Sequence, residues 1–127
     1  MFIIPFFFGY LSFERSKIWE NDEKLWKSVL EEYPTVSQAY NNLGSFALEN
    51  NKPQEAFNYF DKAIQLQPSY ADAYSNRGNL FSQSGKSAEA IQDYSKAIAL
   101  KDHADAYFNR GNEFSKVGDL NSAVADY

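Results

Sequence analysis

The 127-residue chain has no cysteine and a single histidine, and its twelve Lys and Arg are outnumbered by seventeen Asp and Glu. The missing cysteine excludes disulfides and thiolate chemistry and leaves the redox compartment open. A lone histidine without cysteine is a poor metal ligand set, so no metal or other cofactor is expected. His103 itself reads as a solvated loop residue. The basic residues are scattered and the net charge is −5, the wrong balance for a phosphate-binding face. No nucleic-acid partner is expected. Long apolar runs are absent too. The first thirteen residues, MFIIPFFFGYLSF, carry no charge, yet a helix of that length spans only ~20 Å against a hydrocarbon core of ~30 Å. They lack the basic lead-in and small-residue cleavage site of a secretory signal. Two readings stay open for residues 1–13: an interfacial anchor in contact with a membrane, or the tail of a longer transmembrane helix.

What the chain does have is repetition. Residues 71–81 read ADAYSNRGNLF and residues 104–114 read ADAYFNRGNEF, nine letters of eleven in common at a spacing of 33. SAEAIQDYSKAIAL (87–100) echoes PQEAFNYFDKAIQL (53–66), NSAVADY (121–127) begins the phrase again, and AYNNLGSFALENN (39–51) echoes AYSNRGNLFSQSG (73–85). The unit is about 34 residues, with one residue lost from the junction before the last copy. Apolar residues recur at three- and four-residue steps in both halves of the unit, as in Ala56–Phe60–Ala63–Ile64, which is the period of one helix face. Each unit is thus a helix, a turn near Asn51, Gly85 or Gly118, and a second helix. Gly85 and Gly118 suit a left-handed helix terminus, where Asn51 can substitute. Glycine inside a helix costs about 1 kcal/mol against alanine, so Gly44, Gly78 and Gly111 at one repeat position imply close helix approach. Ala56, Ala90 and Ala123 are expected to be the small residues opposite.

These positions resemble the tetratricopeptide repeat (TPR) family, whose pattern is carried by Tyr40, Leu43, Gly44, Ala56, Phe60, Ala63 and Pro68. Tyr74, Gly78, Phe81, Ala90, Tyr94 and Ala97 repeat it, and Tyr107, Gly111, Phe114, Ala123 and Tyr127 continue it. Ala47 and Asp102 depart from it, and the last copy stops inside its second helix. The resemblance implies an all-α fold, a right-handed α-solenoid of antiparallel helix pairs (a TPR superhelix), preceded here by the N-terminal apolar segment. The expected organisation is an apolar segment at 1–13, a capping half-repeat helix at 14–36, repeats at 37–70 and 71–103, and a truncated repeat at 104–127. In the capping helix Trp26, Val29, Leu30 and Pro34 fall one unit before Phe60, Ala63, Ile64 and Pro68, and Trp19 is placed to extend that packing. A looser likeness, carried by Arg15, Trp19, Leu25, Trp26, Pro34 and Asn42–Leu43–Gly44, is to the junction where O-mannosyltransferase-like membrane proteins run into a C-terminal TPR array. Such arrays lie on the lumenal or periplasmic side, whereas Arg15 and Lys17 beside an apolar stretch suggest a cytoplasmic flank; the side stays open.

One charge pattern stands out. Where the first helix carries Leu43 the matching site on the second is Tyr59; where it carries Arg77 and Arg110 that site is Asp93 and Asp126. The joint swap is expected to mark structural ion pairs, Arg77–Asp93 and Arg110–Asp126, because a buried arginine needs a counter-charge. Shared descent of neighbouring repeats would copy the letters without contact.

No catalytic constellation is present, and the protein is not expected to be an enzyme. Gly85-Lys86-Ser87 imitates the end of a phosphate loop, but Leu80 stands where its first glycine belongs. Binding is the expected activity, of a protein or an extended peptide along the concave face that stacked helix pairs create. Asn42, Asn76 and Asn109 recur at one site on that face, with Asn79 and Asn112 one turn on. An amide side chain both donates and accepts, so such a row can pair with peptide backbone; the alternative is that these amides bond within their own helices or meet water. A similar asparagine ladder occurs in TPR arrays of protein O-glycosylating enzymes. The lysine-rich groove that some TPR co-chaperones use for acidic C-termini is not evident, because Asp72 and Asp105 line this groove instead, so the expected ligand is neutral or basic. The runner-up function is the accessory substrate-binding region of a membrane-embedded glycosyltransferase. Self-association through the apolar face of the truncated repeat is a further expectation.

Overall fold

The computed structural model describes residues 23–127. The apolar segment 1–13, the start of the capping segment at 14–36, and the positions Arg15, Lys17 and Trp19 lie outside the described residues. Helices α1 (Glu23–Glu32), α2 (Ser37–Glu49), α3 (Pro53–Leu66), α4 (Ala71–Gln83), α5 (Ser87–Leu100), α6 (Ala104–Lys116) and α7 (Leu120–Asp126) follow one another, and no strand occurs among the described residues. Sequential neighbours pack together, and α2 also touches α4 as α4 touches α6. That is the signature of an α-solenoid: the first helices of the units, α2, α4 and α6, line one face. None of the described helices is long and apolar enough to cross a membrane.

The same turn closes every unit. Asn51, Gly85 and Gly118 have φ of 57°, 77° and 86°, the left-handed conformation that ends a helix. Each turn carries a backbone bond spanning five residues, from Lys52 N to Ala47 O, Lys86 N to Phe81 O and Asp119 N to Phe114 O, each 2.8 Å. Side-chain caps are scarce. Pro53 opens α3 at a position where its missing N–H costs nothing, and Asp119 accepts from the Ser122 backbone N–H at 3.1 Å at the start of α7.

The core is shared between units. One cluster joins Ala47, Ala56 and Phe60 to Leu80 of the next unit; the other joins Tyr74, Ala90, Tyr94 and Ala97 to Ala106 of the next and packs on Ile64 of the unit before. No helix pair encloses its apolar stripe alone, so stability comes from stacking. α1 supplies half-buried Leu25, Trp26, Val29 and Leu30 against α2. Phe108, Leu120, Val124 and Tyr127 of the last unit are exposed.

The helical glycines answer to an aromatic ring rather than chiefly to the small alanines. A Cβ on Gly44 would lie 2.5 Å from the Phe60 ring, on Gly78 2.9 Å from the Tyr94 ring and on Gly111 2.8 Å from the Tyr127 ring. The alanines at 56, 90 and 123 are fully buried in the same helix contact, but the ring occupies the space that glycine leaves. Gly44→Ala is therefore expected to destabilise the protein by about 1–3 kcal/mol through overpacking, against the ~1 kcal/mol gain from helix propensity. Urea unfolding should show the loss and its recovery when Phe60→Leu is added.

Candidate functional site

The arginine in each repeated phrase sits at the centre of a small constellation. Arg77 on α4 donates from Nε to Asp93 Oδ2 at 2.8 Å and from Nη2 to Asp93 Oδ1 at 2.9 Å, while Nη1 reaches back to Asp61 Oδ1 on α3 at 3.0 Å. Arg110 on α6 repeats the fork onto Asp126, with both bonds 2.7 Å, and its Nη1 donates to Ser95 Oγ at 2.9 Å. Each guanidinium lies 5.7–5.8 Å from two ring centroids of its own helix, Tyr74 and Phe81 for Arg77, Tyr107 and Phe114 for Arg110. Those rings stand three residues before and four after it, on the same helix face, and they attract the cation through their π faces. The Asp93 and Asp126 side chains are only 8% and 5% exposed. Hydrogen bonding to Asp93 raises the Arg77 pKa above its ordinary value even though burial opposes it, and Asp126 does the same for Arg110. In the first unit the same two positions are Leu43, fully buried, and Tyr59. These constellations hold helices together.

The open site is the first-helix face. Asn41, Asp72, Ser75, Asn76, Asn79, His103, Asp105 and Asn109 line a groove of about 350 Å³ running from α2 across α4 to α6. Its amides bond between helices rather than within them. Asn76 Nδ2 donates to Asn41 Oδ1 at 3.0 Å, and Asn109 Nδ2 donates to Asn79 Oδ1 at 3.2 Å. Asn79 Oδ1 also accepts from the Tyr94 hydroxyl at 2.7 Å. Asn112 is engaged in the matching way by the Tyr127 hydroxyl at 2.7 Å and is not part of the groove wall. Asn42 is half-buried, and the wall takes its neighbour Asn41 instead. One residue along a helix turns the side chain by about 100°, which is why position 41, not 42, meets Asn76.

His103 is not a solvated loop residue. Its side chain is 17% exposed, and Nε2 lies 3.2 Å from Asp72 Oδ1. The residue preceding α6 thus lies against α4. Lys101 Nζ approaches the same carboxylate at 3.8 Å. Asp72 is thus already attended by two basic groups, whereas Asp105 has no ion-pair partner among the described residues. At the same junction one unit earlier stands Tyr70, whose phenol is pushed up by burial and by the Asp72 charge. Tyr94, deeper in the pair contact, is pushed up to about 12 by burial, with Glu113 and Asp93 adding to it.

Glu113 was not singled out by its sequence. It occupies the position of Leu80, is 1% exposed, and receives the Ser82 hydroxyl at 3.0 Å and Lys116 Nζ at 2.7 Å on Oε2. Oε1 has no hydrogen-bond partner. Burial alone would raise its pKa, but the bonds from Lys116 and Ser82 outweigh that and hold the carboxyl below its ordinary value. Among the described residues no group of His, Asp and Glu is arranged to hold a metal ion.

Comparisons with known proteins agree with this architecture. A family model described as "Tetratricopeptide repeat" matches residues 35–103. The crystal structure of MamA superposes with a TM-score of 0.75 at 30% identity, covering 82% of this chain and 61% of that one, so the chain spans about six tenths of that relative's length. YrrB, described as a TPR protein with an unusual peptide-binding site, superposes with a TM-score of 0.78 at 23% identity, covering 83% and 55%. The first TPR of Spaghetti (RPAP3) bound to the HSP90 peptide SRMEEVD gives 0.69 at 25% identity, covering 72% and 73%. No curated protein matches the chain, and the likeness to O-mannosyltransferase-like junctions gains no support.

The charged constellation has an internal control in the first unit. Arg77→Ala is expected to cost about 3 kcal/mol, because it strands the buried Asp93 carboxylate. The double change Arg77→Leu with Asp93→Tyr, which writes the Leu43–Tyr59 solution into the second unit, should recover most of that loss in thermal or urea unfolding.

Proposed function

Because the chain belongs to the tetratricopeptide repeat family, we propose that it is a protein-interaction module that holds an extended peptide or an unfolded segment of a partner along its first-helix face. The observation that carries this reading is the groove itself, a continuous polar wall contributed by three successive first helices. Its amide groups are fixed by bonds to one another, so little side-chain freedom is lost when a ligand arrives. Peptide backbone offers the alternating donors and acceptors that such a wall can match.

The charge of the wall sets the class of ligand. The RPAP3 structure holds SRMEEVD, a peptide ending in acidic residues. Here the groove presents Asp72 and Asp105, so an acidic segment is disfavoured and a neutral or basic one fits. No chemistry is assigned to the module; it positions a partner and leaves the partner's covalent structure unchanged.

A random library of unstructured heptapeptides, panned against the full chain, is expected to yield ligands whose affinity falls at least about tenfold when Asn76 and Asn109 are both replaced by alanine, as two or more hydrogen bonds are lost. Ligands that bind the double variant as tightly as the parent chain, measured by calorimetry, would remove the groove from the function.

A further inference from the structure

We propose that the seam between the second and third units is an acid-released latch, closed by the Glu113 carboxylate, so that a fall in pH frees α6 and α7 and opens the groove. The release is a property of the fold; only its effect on a ligand rests on the peptide-binding reading.

This seam is written differently from the one before it. Between the first and second units, Leu80 belongs to a cluster with Ala47, Ala56 and Phe60 against which Leu48 packs, and Pro53 stands on the same pocket wall as Leu80. One unit on, the apolar residues Leu48, Pro53 and Leu80 become Ser82, Ser87 and Glu113. Three positions change together, and the fold brings the new set to one place. The Ser82 hydroxyl donates to Glu113 Oε2 at 3.0 Å, Lys116 Nζ donates to the same oxygen at 2.7 Å and to Ser82 Oγ at 3.0 Å, and Ser87 faces the carboxyl from the start of α5. Glu113 is 1% exposed and its Oε1 is unpartnered. A carboxylate buried in this way is held by its counter-charge and donors, and losing the pair leaves nothing apolar in its place.

The sign follows from the partners. Burial favours the uncharged carboxyl, but the bonds from Lys116 and Ser82 outweigh it and hold the group below its ordinary value. A carboxyl depressed in the folded chain contributes stability that is complete above its unfolded value and is lost as pH falls through the folded one. The groups that face Glu113 are Lys116 on its own helix, Ser82 on α4, and Ser87 and Tyr94 on α5. Tyr94, pushed up to about 12, stays neutral throughout. The first seam, with Leu80, has no charge to lose. Units of a stacked array are held only by their neighbours, and α7 adds just seven residues to the third. Since α6 carries Asp105 and Asn109 of the groove wall, its release removes one side of the groove.

Hydrogen exchange of the full chain without ligand, with each amide rate divided by its intrinsic rate at that pH, tests the latch. Between pH 6 and about pH 3.5, α6 and α7 are expected to lose protection at least about fivefold more than α2 to α5. Glu113→Gln, an uncharged isostere, should show that loss already at pH 6. The triple variant Ser82→Leu, Ser87→Pro and Glu113→Leu, which copies the first seam, should keep α6 protected in acid; Glu113→Leu alone gives the same comparison without a new proline. Asp119 and Asp126, the other carboxylates of α7 and its cap, remain in every variant and so do not account for a difference. Acid loosening that is uniform along the chain, or equal in the parent and the leucine variants, overturns the latch and leaves the interaction module standing.

Discussion

A ring laid on a glycine is the contact from which the rest of this protein is built. Phe60 covers Gly44, Tyr94 covers Gly78 and Tyr127 covers Gly111, each at a distance that admits no Cβ. The contact fixes how far apart the two helices of a unit stand and how they are rotated about their axes. It thereby decides which residues of α2, α4 and α6 turn inward to the partner helix and which turn out to the groove. In the second unit the ring's hydroxyl continues across to Asn79, so a core residue holds a groove amide in place. Packing and groove wall are set by the same side chain.

Around that contact the units solve one problem in two ways. The first fills the space beside the glycine with Leu43 and Tyr59; the second and third fill it with an arginine and an aspartate. The charged solution also reaches the preceding second helix, through Asp61 for Arg77 and Ser95 for Arg110. An apolar pair has no equivalent reach. The guanidinium therefore binds two helices of its own unit and one of the unit before, which the burial of hydrocarbon alone does not specify.

The repeat, its two helices and its turns are legible in the sequence because they depend on local rules applied three times. Asn51 can be read as equivalent to Gly85 and Gly118 since all three face the same left-handed requirement. The joint change at positions 77 and 93 is legible because two letters move together. Other features are not legible, for physical reasons. Glu113 is a carboxylate at an apolar position; Lys116 three residues on is a pairing that spacing alone offers, but only three-dimensional placement reveals Ser82 beside it. His103 looks like loop because it is in one, and only its place beside Asp72 on the preceding first helix reveals its burial. Asn41, which lines the groove, is not legible from the repeating asparagine, because the equivalent position in the next unit is Ser75.

The amide contacts along the groove differ from step to step. From α2 to α4 the bond joins Asn76 to Asn41; from α4 to α6 it joins Asn109 to Asn79, one turn further along its helix than the position equivalent to Asn41. Though the units look like copies, the surface they form has no translational symmetry. A strand displaced along it by one unit would meet a different order of contacts. The wall thus has a direction and a phase that the repeating letters alone do not give it.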